Sequence, residues 1–240
     1  GANDAPAVKE ADIGVAMGIT GTDVTKEAAS VILLDDSFAT LVAAVEEGRV
    51  IYQNIRKFIR YLLSCNIGEV VTMFFAMLMG MPIPLLPIQI LLINLATDGL
   101  PAIALGLDPP SEDVMAQPPR RAGDSIFSGG LATTILTRGF LIGLTTLAVF
   151  TLLTGQGATL EQARTGALTA LVASQLIHVF ECKSEKKGLL TIHPLDNPLL
   201  IGAVGISALM LAAALYTPLF SSVFQTVPLT GKQLLTCLIA

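Results

Sequence analysis

The pattern of apolar and polar positions divides the chain into two parts near residue 60. The first part alternates short apolar runs with charged stretches, whereas the second consists of long apolar runs with few charges. Residues 13–18 and 31–36 have the short, continuous apolar character of buried parallel strands, and residues 22–30 between them have helical character. Thr22 or Asp23 is the predicted N-cap of that helix. The pattern predicts a small α/β segment.

A single long helix is predicted after the α/β segment. From Phe38 onward, apolar residues recur every three to four positions, and no proline interrupts the chain before Pro82. Four basic residues precede the point at which this stretch becomes wholly apolar: Arg49, Arg56, Lys57 and Arg60. We therefore expect residues 49–60 to form a stalk that continues directly into a membrane span.

The later apolar runs are long enough to cross a bilayer, which takes about 20 predominantly apolar residues. The predicted spans cover residues 60–80, 84–106, 129–153, 166–183 and 197–217, with an incomplete span from residue 232. We expect three parts: an α/β segment at 1–48, the stalk at 49–60 and a transmembrane domain at 61–240. The fold class is therefore mainly α, a polytopic α-helical membrane domain preceded by the end of a cytosolic α/β domain.

Basic residues between the spans predict the orientation. Lysine and arginine accumulate in the stalk, in the loop at 107–127 and in the loop at 183–196, which includes Lys186 and Lys187. These three segments lie on one side of the predicted membrane, and such an excess marks the cytoplasmic side. We expect a multi-pass integral membrane protein, in the plasma membrane, with residues 1–60 cytoplasmic.

Composition agrees with a membrane protein and argues against several other classes. Of the 240 residues, 52% are hydrophobic and 14% are charged, and the mean hydropathy is +0.70. A typical soluble domain has about 25% charged residues. The net charge of −5 comes without a basic run, which argues against binding of nucleic acid. The three cysteines lie far apart, which argues against a disulfide framework or a thiolate site for soft metals.

Two of the apolar helices carry polar groups at bilayer depth. The first contains Asn66 and Glu69, and the second contains Asn94, Thr97 and Asp98, each set at a spacing that shares one helix face. A carboxylate at this depth costs roughly 2.5–3.5 kcal/mol even on lenient insertion scales, so it indicates a functional site. Oxygen ligands of these types suit Ca²⁺, which takes about 6–8 of them. The alternative is that these groups only bridge packed helices, a common role for a single Asn or Thr.

Two further features modify this predicted site. Gly99 and Pro101 follow the second set at once, and we expect them to weaken the helix and free backbone carbonyls. A later span carries Gln175, His178 and Glu181, of which Gln175 could extend the site with a neutral oxygen. We expect His178 to be a packed histidine and Glu181 to be solvated near the cytosolic end.

Several motifs resemble those of the P-type ATPases. Residues 1–6, Gly-Ala-Asn-Asp-Ala-Pro, are similar to the end of that family's hinge motif, Thr-Gly-Asp-Gly-x-Asn-Asp-x-Pro. Residues 13–18 and 46–49 resemble its phosphorylation domain and the exit of that domain to the membrane. The two polar membrane motifs resemble the fifth and sixth membrane helices of the sarco/endoplasmic-reticulum calcium-pump type. The resemblance implies that 1–48 end a haloacid-dehalogenase-like, Rossmann-type phosphorylation domain, and that 61–240 are membrane helices five to nine and the start of ten.

The resemblance also assigns roles to the matching residues. Asn3 and Asp4 would lie beside the phosphorylated aspartate as catalytic residues that position the phosphate and its Mg²⁺ environment. The metal ligands would be divided so that one calcium site takes Asn66, Glu69 and Thr97, a second takes Asn94, and both share Asp98. Nucleotide binding would fall outside this chain.

At Gln175 the chain departs from the reticulum pumps, which place a glutamate on their eighth membrane helix. Two Ca²⁺ ions separated by about 6 Å repel each other by roughly 11 kcal/mol at an effective dielectric constant of about 20. Glu69, Asp98 and one acid from outside the chain would supply only three negative charges to offset that repulsion. We therefore expect one Ca²⁺ per cycle, or two with the first site weakened.

The expected function is that of the carboxy-terminal part of an ATP-driven calcium pump. The chain lacks an initiator methionine and ends in an apolar run, so we expect a fragment that is inactive alone. The resemblance implies Ca²⁺ as the transported ion, Mg²⁺ and ATP as cofactors of the full-length protein, protons as counter-ion, and the lipid bilayer and the missing amino-terminal part as partners. The alternatives are a pump for Mn²⁺ or another cation, a passive channel, a secondary cation transporter, and a non-catalytic protein that packs against another pump.

Overall fold

The computed structural model describes residues 1–110, 113–121, 123–184 and 196–239. Lys186 and Lys187, which contributed to the predicted orientation, lie outside the described residues. The two strands are β1 (Val15–Met17) and β2 (Val31–Leu33). The helices are α1 (Ala5–Glu10), α2 (Asp23–Ala28), α3 (Phe38–Leu78), α4 (Pro87–Leu92), α5 (Gly99–Gly106), α6 (Leu131–Gly155), α7 (Leu160–Glu181), α8 (Pro198–Tyr216), α9 (Pro218–Phe224) and α10 (Gly231–Ile239). A π-helical turn, Ile93–Thr97, lies between α4 and α5, and 3₁₀ turns form at Ala2–Asp4 and Val114–Ala116.

The chain forms two compact units. The amino-terminal unit comprises Gly1–Tyr52 and Asp113–Pro118, and the helical unit comprises Gln53–Glu112 and Pro119–Ala240. The division falls inside α3, within the stretch at 49–60 that the sequence predicts as a stalk.

The amino-terminal unit contains the predicted α/β alternation. Strands β1 and β2 pair in parallel, with Val15 opposite Val31 and Met17 opposite Leu33. Helix α2 connects them, and Thr22 is its N-cap, as predicted. Arg49 on α3 donates to two backbone carbonyls of the segment 113–118, at 2.7 and 2.8 Å, and so ties that segment to this unit.

The helical unit contains most of the predicted membrane spans. Among the described residues, four helical segments are long and apolar enough to cross a bilayer: Phe38–Leu78, Pro87–Gly106, Leu131–Gly155 and Pro198–Tyr216. They coincide with four of the predicted spans. The segment predicted at 166–183 lies in α7, which has 22 residues but is not among those four. Helix α7 carries charged residues near both ends and packs against α6 and α10, so its middle is buried by protein.

Glycines allow α3 and α6 to approach closely beside the predicted site. A Cβ atom added at Gly139 would lie 2.5 Å from the Ile67 side chain, and one added at Gly143 would lie 2.7 Å from the carbonyl oxygen of Gly68. Gly139 and Gly143 are four residues apart on α6, the spacing of small residues at close helix crossings in membranes. The crossing fixes α3 at Gly68, immediately before Glu69.

Two apolar cores flank the polar residues of the second and later spans. Leu92, Ile93 and Ala96 belong to one core together with much of α6 and α7. Ala102 and Leu105 belong to the other, together with Tyr61 and Val179. Asp98 lies in the sequence between these two sets and is itself fully buried.

Candidate cation site

The predicted weakening of the second polar helix takes the form of a π turn. Helix α4 ends at Leu92, the turn covers Ile93–Thr97 and α5 begins at Gly99. The N–H of Asp98 donates to the carbonyl of Ile93, five residues earlier, at 2.9 Å. The backbone therefore widens at this turn, a distortion that is frequent at functional sites. Asn94 and Thr97 lie inside this turn, and Asp98 follows it directly.

Glu69 of α3 is held by two amide side chains from other helices. Its Oε2 accepts a hydrogen bond from Nδ2 of Asn94 at 3.0 Å, and its Oε1 accepts one from Nε2 of Gln175 at 3.4 Å. The Glu69 side chain is buried. Three separate elements, α3, the π turn and α7, therefore converge on one carboxylate. We call Glu69, Asn94, Asp98 and Gln175 the acidic cluster.

Asp98 is fully buried and is bound by a residue that the sequence did not reveal. The hydroxyl of Tyr61 donates to Oδ1 of Asp98 at 3.2 Å, and Tyr61 itself is fully buried. In sequence, Tyr61 looks like an ordinary core aromatic in an apolar run. The signal that was available is its spacing, because four-residue steps along α3 lead from Tyr61 through Cys65 to Glu69.

The charge balance of the acidic cluster is incomplete. Within the described part of the chain, no lysine, arginine or histidine forms an ion pair with Glu69 or Asp98. In addition, Oδ2 of Asp98 and Oε1 of Gln175 are buried and have no hydrogen-bond partner among the residues that the structure describes. An unpartnered buried acceptor costs about 1–3 kcal/mol, and more when it is charged. Two carboxylates and two unpartnered acceptors in one buried place have the chemistry of a cation site.

Two other predicted ligands are not joined to this cluster by their hydrogen bonds. Thr97 is buried, and its hydroxyl donates to the carbonyl of Ile93 at 3.0 Å. Asn66 is exposed, and its Nδ2 donates to the carbonyl of Leu62 at 2.7 Å. Their roles as ligands stay predictions.

Asn3 and Asp4 lie in the amino-terminal unit. Both are exposed in the 3₁₀ turn Ala2–Asp4, and Asp4 is the N-cap of α1. The hydroxyl of Thr25 on α2 donates to the carbonyl of Gly1 at 2.8 Å and so holds this turn against α2. The role of Asn3 and Asp4 beside a phosphorylation site stays a prediction.

His178 and Glu181 lie one and two helical turns beyond Gln175. His178 is buried, as expected, and its ring lies 6.4 Å from that of Tyr61 in a stacked arrangement. Glu181 differs from the expectation of a solvated residue. Its carboxylate lies 3.0 Å from Nδ1 of His178 and 3.3 Å from Nε of Arg138, because α6 brings Arg138 to the end of α7.

A second buried cluster surrounds Asp108, which the sequence analysis did not single out. Nζ of Lys57 lies 2.7 Å from Oδ2 of Asp108, and Nζ of Lys183 lies 3.8 Å from Oδ1. Asn197 donates to the same Oδ1 at 2.9 Å, and Asn54 donates to the Asp108 backbone carbonyl at 2.8 Å. We call these five residues the Asp108 cluster. No sequence spacing could have found it, because its members come from four distant segments.

The available donors suit a hard cation better than a soft one. The described residues contain no group of three or more His, Cys, Asp and Glu side chains that could hold a metal ion. Cys65, Cys182 and Cys237 are free and buried. The acidic cluster instead offers carboxylate and amide oxygens, which are the preferred ligands of Ca²⁺ and Mn²⁺.

Comparison with known proteins gives consistent similarities. Residues 82–240 match the family model described as "Cation transporting ATPase, C-terminus". The chain is 52% identical over 231 residues to a calcium-transporting ATPase of Bacillus subtilis. That aligned region covers 96% of this chain and 26% of the relative. It is 45% identical to calcium-transporting ATPase 1 of Bacillus cereus, over 97% of this chain and 28% of the relative. It is 36% identical to the endoplasmic reticulum-type calcium-transporting ATPase 4 of Arabidopsis thaliana, over 99% of this chain and 28% of the relative. The chain thus spans about a quarter of the length of these relatives.

Proposed function

Because the chain belongs to the cation-transporting ATPases and contains their carboxy-terminal membrane part, we propose that it supplies the intramembrane Ca²⁺ site of an ATP-driven calcium pump. The names of its relatives support Ca²⁺ as the transported ion. The family assignment does not favour the passive channel or the secondary transporter considered as alternatives.

The acidic cluster is the observation that carries this proposal. Glu69 and Asp98 are buried without a paired cation in the described chain, and Oδ2 of Asp98 and Oε1 of Gln175 have no partner. A dehydrated cation offsets both the negative charge and the unpartnered acceptors. Its coordination shell of about 6–8 oxygens also suits a site assembled from several helices.

The proposed ligand set extends beyond the acidic cluster. One site takes Asn66, Glu69 and Thr97, a second takes Asn94, and Asp98 serves both, with Gln175 as an additional neutral ligand. Asn66 and Asn94 donate through Nδ2 to backbone carbonyls of their own helices. To bind a cation they present Oδ1 instead, which requires only rotation of the side chain.

The driving reaction is proposed to lie outside this chain. Residues 1–48 would complete a haloacid-dehalogenase-like phosphorylation domain in the cytosol, with Asn3 and Asp4 beside the phosphorylated aspartate. ATP and Mg²⁺ would bind there, and protons would return on the emptied carboxylates. Transport then requires that the cation site bind Ca²⁺ with different affinity in two conformations. The π turn, which joins Asn94, Thr97 and Asp98, is the element of the site most suited to two arrangements.

The number of ions per cycle follows from the charge at the site. Gln175 is neutral, so this chain supplies two carboxylates, Glu69 and Asp98. The roughly 11 kcal/mol of repulsion between two Ca²⁺ ions at about 6 Å is then poorly offset. We propose one Ca²⁺ per ATP, or two with the first weakly bound. A measured ratio of two tightly bound Ca²⁺ per ATP in the intact pump contradicts this proposal.

Phosphorylation by ATP in the intact pump tests the proposed function. We expect the phosphoenzyme to form only with Ca²⁺, and Glu69→Gln or Asp98→Asn to lower its Ca²⁺-dependent formation at least a hundredfold, because each change removes a charged ligand. Titration with Mn²⁺ in parallel tests the alternative transported ion.

Glu161→Gln is the matched control, since Glu161 is an exposed carboxylate in the first turn of α7. Gel filtration shows whether each variant is folded. Wild-type Ca²⁺ dependence in folded Glu69→Gln and Asp98→Asn variants would show that the acidic cluster is not the cation site.

A further inference from the structure

One buried hydroxyl outside the acidic cluster is bound to the π turn. Ser207 lies on α8 and is fully buried. Its Oγ donates to the backbone carbonyl of Thr97 at 3.1 Å. Ser207 is not among the predicted ligands, and its only described role is this contact between α8 and the turn.

The carbonyl of Thr97 needs this partner because its own helix supplies none. In an α-helix it would accept from the N–H of the residue four positions later, but that residue is Pro101, which has no N–H. The next N–H, of Ala102, donates to the carbonyl of Asp98 at 3.1 Å. Without Ser207 the Thr97 carbonyl would be a buried acceptor with no partner in its helix.

This hydrogen bond fixes the peptide unit on which Asp98 is built. The carbonyl of Thr97 and the N–H of Asp98 belong to the same planar peptide. The N–H is bound to the carbonyl of Ile93 at 2.9 Å, and the carbonyl is bound to Ser207 at 3.1 Å. The peptide that follows Asp98 is held too, since the Asp98 carbonyl accepts from the N–H of Ala102 at 3.1 Å. With both flanking peptides held, the direction of the Asp98 Cα–Cβ bond is set before a cation arrives.

We propose that Ser207 is a positioning residue of the cation site: it replaces the hydrogen bond that Pro101 removes and so orients the carboxylate of Asp98. The inference rests on the proposed function. It predicts that Ser207 affects the affinity of the site for Ca²⁺ and leaves the maximal phosphoenzyme level unchanged, because it touches neither the ion nor the phosphorylation domain.

The experiment measures Ca²⁺-dependent phosphoenzyme in the intact pump as a function of free Ca²⁺. Ser207→Ala is expected to raise the half-saturating Ca²⁺ concentration about three- to tenfold, which corresponds to the loss of one buried hydrogen bond. The maximal phosphoenzyme level per folded protein is expected to remain that of the wild type.

Ser64→Ala is the matched control. Ser64 is also fully buried, and its Oγ donates across a helix interface to the carbonyl of Ile135 at 3.4 Å. That carbonyl belongs to α6, where the residue four positions later, Gly139, has an N–H to offer. We therefore expect Ser64→Ala to change the half-saturating Ca²⁺ concentration by less than about twofold, within the range of additivity errors.

A second substitution tests the mechanism itself. Pro101→Ala restores an N–H that can bond the Thr97 carbonyl, so the effect of Ser207→Ala should shrink to less than about twofold in that background. An equal effect in both backgrounds overturns the inference. So does a Ser207→Ala variant that matches Ser64→Ala, or one that lowers only the maximal phosphoenzyme level.

If Asp98→Asn also leaves the Ca²⁺ dependence intact, the proposed function fails as well. If only Ser207→Ala is silent, the inference alone fails.

Discussion

The acidic cluster and the Asp108 cluster both bury carboxylates in the helical unit, but they differ in what surrounds those carboxylates. Asp108 has two lysines within 4 Å and an asparagine that donates to it. Glu69 and Asp98 have amide and hydroxyl donors and no paired cation in the described chain. Among the described residues, Oδ2 of Asp98 has no hydrogen-bond partner.

The difference is the one expected between a structural site and the proposed binding site. Burying a charge is favourable only when a paired and hydrogen-bonded partner offsets its desolvation. The Asp108 cluster supplies that partner from Lys57 and therefore ties α3 to the segment that follows α5. In the proposed function, the acidic cluster leaves part of the compensation to a cation from solution. A buried carboxylate is therefore most informative about function when its structure lacks a paired cation and some of its hydrogen-bond donors.

The largest expected effect on stability comes from removing the charge at Asp108. Asp108→Asn leaves Lys57 and Lys183, both about 5% exposed, without their common carboxylate. Breaking a buried pair in this way typically costs about 3–5 kcal/mol of stability. We expect a large fall in the midpoint of thermal unfolding of the intact pump in detergent, measured without Ca²⁺. An Asp108→Asn variant as stable as the wild type would remove the contrast between the two clusters.

Asp98→Asn is expected to have an effect of the opposite sign under the same conditions. It replaces a fully buried carboxyl, which is neutral only when it carries a proton or binds a cation, with an amide that is neutral without either. We expect the free energy of unfolding without Ca²⁺ to stay the same or to rise by about 1 kcal/mol, by relief of part of the cost of an unpartnered acceptor. Thermal unfolding of Asp98→Asn without Ca²⁺, measured in parallel with Asp108→Asn, tests this change in stability. A loss of several kcal/mol would mean that Asp98 is compensated as fully as Asp108.

The smallest effect on stability is expected at Asp36, a partly exposed carboxylate of the amino-terminal unit. The hydroxyl of Thr20 and the backbone N–H of Ile19 donate to Asp36, and these bonds hold the pKa of its carboxyl below the usual value. Since the folded pKa is the lower one, the bonds stabilise the loop above the unfolded pKa of about 3.9 and are lost as the pH falls through the folded value.

Hydrogen exchange of residues 15–36, corrected for its intrinsic pH dependence, measures this effect. Protection should fall below about pH 4 in the wild type. In Asp36→Asn it should already be low at pH 7 and should change little with pH. Identical pH profiles for both proteins would contradict the assignment.

Local spacing explains which parts of the structure the sequence predicts well. The existence of strands β1 and β2, the Thr22 N-cap and the long helix α3 follow from short-range sequence patterns. The convergence of Glu69, Asn94 and Gln175 was expected because each lies on a polar face within an apolar span.

The parts that the sequence did not predict depend on contacts between distant segments. Gly99 and Pro101 indicate a weak point, but only the bond from Ser207 of α8 shows how the π turn is stabilised there. In the sequence, Tyr61 cannot be distinguished from an apolar core residue. Its role becomes visible only through its hydrogen bond to Asp98 in the structure. In the sequence, Lys57 is one of several stalk charges. Only the structure shows that it pairs with Asp108 of another segment.

Direct binding of Ca²⁺ to the intact pump tests the central claim. Equilibrium dialysis with radioactive calcium, without ATP, counts bound ions in the wild type, in Asp98→Asn and in Glu161→Gln. We expect tightly bound Ca²⁺ in the wild type and in Glu161→Gln, and none in folded Asp98→Asn at the same free Ca²⁺. Tight binding that survives in Asp98→Asn would contradict it, because the ion would then occupy a site other than the acidic cluster.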